Sequence, residues 1–456
     1  MDVALLSRIQ FGFTIGFHIL FPTLTIGMAW FLVLFEACWH RGGKSHWLEL
    51  YRFWVKIFAL TFGMGVVSGL VLSYEIGANF SRFSAFAGPV MGPLLSAEVL
   101  TAFFVEAGFL GVMLFGWDKV GPRLHFLATL LVAVGTTNSA FWIISANSWM
   151  QTPQGTEIID GRVVPVDWLA VIFNPSFPYR LAHMLMAAFL TASLMVAGVS
   201  AYQWLRKQAE YARRGLRAAV VALAVLAPLQ IGVGDMSGLE VKEHQPTKLA
   251  AIEALWETRS DVPLVLFAWP DQAAQKNRFV LELPQVGSLV LTHTLHGEVQ
   301  GFDRFPRDQQ PPVPGPFFGF RIMVGLGFWF LLLGWLGIWL MARGRIEKHG
   351  LYLRLLALSA PLGFVATIAG WIVAESGRQP WVVYGMMRTA DAVSPIPTGS
   401  VAGSLILFVL VYGLLGSTYV YFIGKLVQKG PVMPARHPEA MRGARTAEVL
   451  PDENRS

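Results

Sequence analysis

Cysteine is almost missing from this 456-residue chain, where Cys38 stands alone. A single thiol excludes an internal disulfide, a CxxC site, covalent haem attachment through CxxCH and a four-thiolate iron–sulfur cluster. Charge is scarce as well. Asp, Glu, Lys and Arg make up 14% of the residues, against roughly 25% in a soluble domain, which excludes a soluble globular enzyme and a disordered chain alike. A basic segment ahead of the first apolar run is also lacking in MDVALLSRIQ. That run is therefore expected to stay as a membrane span rather than be cleaved as a signal peptide. What the chain has instead is apolar and aromatic: 54% hydrophobic residues, with 33 Phe and 16 Trp. Aromatics at this density suit helix ends at lipid headgroups and the walls of large flat cofactors.

A helix needs about 20 mostly apolar residues to cross a bilayer. Stretches of that kind run over 11–37, 54–74, 94–116, 124–146, 180–204, 216–234, 317–341, 355–375 and 401–424. Open sheet cannot satisfy its backbone in lipid, so the expectation is an all-α, polytopic membrane protein with nine transmembrane helices. Twenty-one of the 35 Lys and Arg fall in the segments 39–56, 117–123, 205–217, 342–354 and 425–456. All five lie on one face of a nine-span arrangement. Positive charge marks the cytoplasmic side, which puts the N-terminus outside and the C-terminus in the cytoplasm. The same placement accounts for the net charge of +6 without nucleic acid. The chain divides into helices one to six (1–234), a long outer loop (235–316), helices seven to nine (317–430) and a disordered cytoplasmic tail (431–456).

Ionisable and ligating groups inside a bilayer are costly, and each is a functional hypothesis. Of ten His, only His18 and His183 lie well inside apolar spans. With the N-terminus outside, both sit in the outer half, and Met323 in the seventh span and Glu375 at the end of the eighth reach the same level. Met alone at such a place is more often core filling. Four possible iron ligands converging on one depth make haem a serious alternative, because His/Met ligation gives a six-coordinate haem suited to electron transfer. Arg8, Arg321 and Arg378 accompany them, either snorkelling to headgroups or pairing with haem propionates. Glu98 and Glu106 share the third span, and with Asp118 they draw a line from the cytoplasmic end toward that depth.

Several of these segments resemble subunit I of the cytochrome bd-type quinol oxidases, over almost all of residues 1–425. SRIQFGFTIGFHILFPTLTIG resembles the family's first helix, which implies a high-spin haem on His18. The fifth-helix His and the FRIM segment imply His183 and Met323 as ligands of a low-spin haem b. GWIVAESGRQPW is similar to the GRQP signature, which implies Glu375 as a further haem ligand, with Trp371 also at the cofactor. The acidic pair of the third helix falls on Glu98 and Glu106. QPTKLAAIEALWET resembles the start of the quinol-binding loop, whose Lys and Glu fall on Lys248 and Glu253. The loop beyond it lacks a long insertion, the short-loop form, and VVYGMMRTADAVSP is similar to the cyanide-insensitive subgroup.

The resemblance implies a terminal oxidase that oxidises quinol at the outer face and reduces dioxygen to water, building a proton motive force without pumping. Its cofactors would be a low-spin haem b, a high-spin haem b and either haem d or a third haem b. Its partners would be oxidase subunit II, a small single-helix subunit, quinol and dioxygen, in the bacterial cytoplasmic (inner) membrane. The alternatives are a proton-coupled transporter, which leaves Met323 at the depth of His183 unexplained, and a b-type electron carrier without oxygen chemistry. Two deep His are too few for a bis-His carrier of two haems or for a copper–haem oxidase.

Overall fold

The computed structural model describes residues 2–431. The tail expected to be disordered lies, except for Pro431, outside the described residues. In chain order the helices are α1 (Val3–Gly42), α2 (Ser45–Asn79), α3 (Ser81–Glu98), α4 (Phe104–Phe115), α5 (Pro122–Gln151), α6 (Trp168–Ile172), α7 (Phe177–Lys207), α8 (Glu210–His244), α9 (Pro246–Glu253), α10 (Val286–Thr292), α11 (Pro314–Ala342), α12 (Gly350–Ser359), α13 (Leu362–Ser376), α14 (Thr389–Ala392) and α15 (Thr398–Lys429). Three small antiparallel hairpins, β1–β2 (Thr156–Ile159, Arg162–Pro165), β3–β4 (Leu264–Asp271, Lys276–Leu283) and β5–β6 (Trp381–Val383, Met387–Arg388), decorate one end. Among the described residues eight helical stretches are long and apolar enough to cross a membrane, and α12 with α13 makes the ninth. The all-α, nine-crossing expectation holds.

Its boundaries need correction. The third crossing starts at Ser81 rather than 94, because SRFSAFAGPVMGP is helical despite Pro89 and Pro93. Prolines are tolerated in membrane helices where neighbours take up the freed backbone groups. This crossing continues through a π-helical turn, Val99–Phe103, into α4. The sixth crossing runs on to His244, so GDMSGLEVKEH belongs to α8 and the long loop proper begins at Gln245. The eighth crossing is broken between Ser359 and Leu362, where α12 and α13 meet at a 41° bend beside Pro361. Most helices overrun the lipid-length estimate because their polar ends extend past the apolar run.

Helices in lipid gain little from burying apolar surface against one another, so small residues that allow close approach decide where they cross. A Cβ on Gly27 of α1 would meet the Ala188 carbonyl of α7 at 2.5 Å, and one on Gly198 of α7 would meet the Ala360 Cβ at 2.7 Å. The centrally placed α7 packs on α1, α5, α8, α12 and α13. At the end that carries the basic segments, Glu347 accepts from Arg213 Nε at 3.0 Å and from Arg217 Nε at 2.6 Å, and its backbone carbonyl accepts from Trp204 Nε1 at 3.0 Å. The opposite end holds α9, α10 and the hairpins.

Candidate functional site

His18 lies midway down α1, half-buried, with Nδ1 2.9 Å from the Ser68 hydroxyl of α2. The ring lies against Gly69, where a Cβ would come within 3.1 Å of Cε1. Nδ1 is thus occupied and the opposite nitrogen left for another partner, as a second-sphere hydrogen bond does for a ligating His. His183, near the start of α7, has Nε2 3.2 Å from the Gln230 side-chain nitrogen and facing Gly234, both on α8. Met323, two turns into α11, points its sulfur at Gly370 of α13, where a Cβ would intrude to 2.8 Å. α7, α8, α11 and α13 pack in sequence around these side chains.

Glu375 closes α13 within a polar network. Its carboxylate accepts from Asn147 Nδ2 at 3.1 Å, from Gln151 Nε2 at 3.3 Å and from Arg378. Arg180, three residues before His183, donates to Asn147. Lys248 of α9 is 2% exposed and donates to Gln151 Oε1 at 2.6 Å and to Gln245. Burial holds the Lys248 ammonium well below its ordinary range; repulsion from Arg180 and Arg378 adds to this, while Glu375 and Glu240 oppose it. Its stem packs so closely that a Cβ on Gly377 would meet Lys248 Cγ at 2.6 Å.

Glu253 sits at the other end of α9 and does not face Lys248. It pairs with Arg321 Nη2 at 2.8 Å, and Arg321 also donates to the Val265 carbonyl at 3.0 Å and 2.9 Å and to that of Ile252. Arg321 is therefore committed to the loop rather than left free for a propionate. Arg8 is exposed at the start of α1, and Trp371, one turn before Glu375, is half-buried.

Glu98 accepts from Ser139 of α5 at 2.7 Å. Glu106 is 6% exposed, packs on Gly135 of the same helix and has one carboxyl oxygen without a partner. On an ideal α-helix residues eight apart are about 80° out of line; the wider π turn between them takes up that excess, so both carboxyls face α5. Asp118 lies in the turn after α4, exposed, with no described side chain bridging it to Glu106.

Comparison with known proteins decides the family. The sequence profile described as Cytochrome bd terminal oxidase subunit I matches residues 6–431. The chain belongs to the cytochrome bd terminal oxidase subunit I family. It is 35% identical to the Cytochrome bd ubiquinol oxidase subunit 1 of Bacillus subtilis, over 94% of each chain. It is 32% identical to the Cytochrome bd-II ubiquinol oxidase subunit 1 of Escherichia coli, over 97% of this chain and all of that one. That alignment spans 514 positions, more than this chain has residues, so the Escherichia coli relative carries segments missing here. The structure of bd oxidase from Geobacillus thermodenitrificans superposes with a TM-score of 0.87 at 30% identity, covering 94% of this chain and 99% of that one. As a member of this family the chain is a haem-dependent terminal oxidase subunit and a multi-pass protein of the bacterial cytoplasmic (inner) membrane.

The residues fit haem. Among the described residues no three His, Cys, Asp or Glu gather as a bare metal ion would require. Single ligand-type side chains facing glycines suit iron already held in a macrocycle. Buried guanidinium nitrogens without partners, Arg378 Nε and Nη1 and Arg180 Nε, are free to meet anionic groups such as propionates. Arg180, Asn147, Gln151 and Gln230 are the residues that sequence reasoning missed. Only Arg180 carried a signal, as a cation at the lip of a span three residues from His183.

Proposed function

We propose that this cytochrome bd subunit I oxidises quinol beside α9 at the outer face and passes electrons to buried haems that reduce dioxygen to water. Like the ubiquinol and menaquinol oxidases it resembles, it would work with a subunit II, and we add a small single-helix subunit as a further partner. The observation that carries the reading is the ion pair Glu253–Arg321, which joins the loop helix to the turn of α11 that holds Met323.

His183 and Met323 would hold a low-spin haem b, and His18 and Glu375 the two high-spin haems, one b and the other d or b. When bound, these groups supply one-electron transfer and the binding of dioxygen. The remaining work belongs to side chains. A quinol gives up two protons with its two electrons, and Glu253 is the acceptor within reach of the loop, its charge held by Arg321. Lys248, its ammonium disfavoured by burial, would donate or accept at the inner side of α9. Arg378 and Arg180 offset the carboxylate of Glu375. Glu106 and Glu98, aligned on α5, would bring protons from the cytoplasmic side. With the N-terminus outside, protons released outside and taken up from within charge the membrane without pumping.

The test is absorbance and extracted-pigment mass on the purified two-subunit oxidase, with quinol-driven oxygen uptake in the same preparation. A colourless protein, or pigment without oxygen uptake, defeats the reading.

A further inference from the structure

One buried acid has no role above. Glu75 on α2 is 1% exposed, and neither carboxyl oxygen has a hydrogen-bond partner. Ser7 Oγ, Asn79 Nδ2 and the Tyr412 hydroxyl are likewise buried and unpartnered. These groups share one region. Ser7, Gln10, Thr14 and His18 follow at three- and four-residue steps down one face of α1, while Ser68, Glu75 and Asn79 climb α2 and Ser404 and Tyr412 lie on α15. The three helices pack against one another. Ser404 Oγ donates to Gln10 Oε1 at 3.0 Å, the Thr14 hydroxyl lies beside the Glu75 carboxyl, and Tyr412 of α15 packs on Phe13 and Phe17 of α1. Asn79 and Ser7 mark the end nearest the outer loops; Ser68, bonded to His18, marks the deep end.

Buried polar groups in a folded protein are satisfied by protein or by ordered water, and a polar space lined by several unmet groups is the kind that holds water, whereas an apolar one stays dry. Phe13, Phe17 and Phe408 stack on Tyr412 at centroid distances of 5.9, 4.5 and 5.9 Å and wall one side with apolar surface. The result is a narrow polar stripe rather than an open cavity. Reduction of one dioxygen consumes four electrons and four protons and forms two waters.

We propose that this stripe is a hydrated passage through which water moves between the His18 site and the outer face, with Glu75 as its central hydrogen-bonding post. It rests on the reading of His18 as a ligand at the oxygen-reducing centre. The passage runs between α1, α2 and α15, away from the carboxyls on α5, so product water and incoming protons keep separate routes.

The test uses the complete two-subunit oxidase and radiolytic hydroxyl-radical footprinting, which marks side chains beside bound water. Tyr412 is expected to be labelled in the parent. In Glu75→Leu that labelling disappears and oxygen-reduction turnover falls severalfold, with KM for quinol and haem absorbance unchanged. Glu75→Gln keeps a polar amide at the same place and restores both labelling and turnover toward the parent. An unlabelled Tyr412 in the parent, or a dry Leu variant at full turnover, overturns the passage alone. A His18→Ala variant with an unchanged high-spin spectrum instead overturns the reading of His18, and with it the passage's inner destination.

Discussion

Glu253 and Arg321 meet at 2.8 Å across the boundary between the outer loop and the membrane, and Arg321 is two residues from Met323. The loop helix is thereby fastened to the helical turn that carries a candidate iron ligand. Removing one partner of a buried ion pair typically costs about 3–5 kcal/mol, because the other charge stays buried alone. Glu253→Ala is expected to raise KM for quinol or lower turnover while every haem band persists. Loss of haem in that variant would assign Glu253 a structural role only.

Met323→Leu keeps volume and apolarity and removes the sulfur. Substitutions of matched volume usually cost less than about 1.5 kcal/mol, so assembly should survive while low-spin absorbance falls. An unchanged low-spin spectrum in the purified variant would remove Met323 from the ligand set.

Glu106→Gln removes an ionisable proton carrier without changing shape against Gly135. Oxygen reduction and the membrane potential of reconstituted vesicles should fall together, with haem content intact. Undiminished turnover would take the proton route away from α5.

Lys248 gives a pH signature. Its folded-state pKa lies well below the ordinary lysine value, so between that depressed pKa and about 10.4 the unfolded chain binds the extra proton. Over that window the parent gains stability as pH rises. Lys248→Met abolishes this contribution, so its curve of thermal haem loss against pH should be flatter from neutral into alkaline conditions. Parallel curves for the two proteins would contradict a lysine whose ammonium is disfavoured by burial.

The crossings were legible because lipid imposes a length and an apolar composition that few other environments demand. Their ends were not. SRFSAFAGPVMGP, with its two prolines, reads as a loop by the standards of helices in water, yet it opens α3; GDMSGLEVKEH reads as a charged helix opening the long loop, and it is the unbroken end of α8. At the site, His18, His183, Met323 and Glu375 stood out because ligand-type groups are rare inside apolar runs. Asn147, Gln151 and Gln230 did not, since neutral amides near span ends are ordinary and only the contacts with Glu375, Lys248 and His183 single them out. Lys248 and Glu253, five residues apart, lie on different faces of α9, and only tertiary contacts show which neighbours each meets.

The π turn at Val99–Phe103 has a consequence for how this helix can change. A π turn is an α-helix with one residue inserted, and the strain persists because something downstream depends on the shifted register. Here the dependent residue is Glu106, whose alignment with Glu98 toward α5 requires the turn to stay wide. Deleting one residue of the turn would set the carboxyls seven apart on plain α-helix, about 20° out of line and still facing α5, whereas closing the turn to α-helix with its residues kept would swing Glu106 about 80° off Gly135. The helix would lose nothing in composition or hydropathy, and a comparison of residue types alone would miss the lesion.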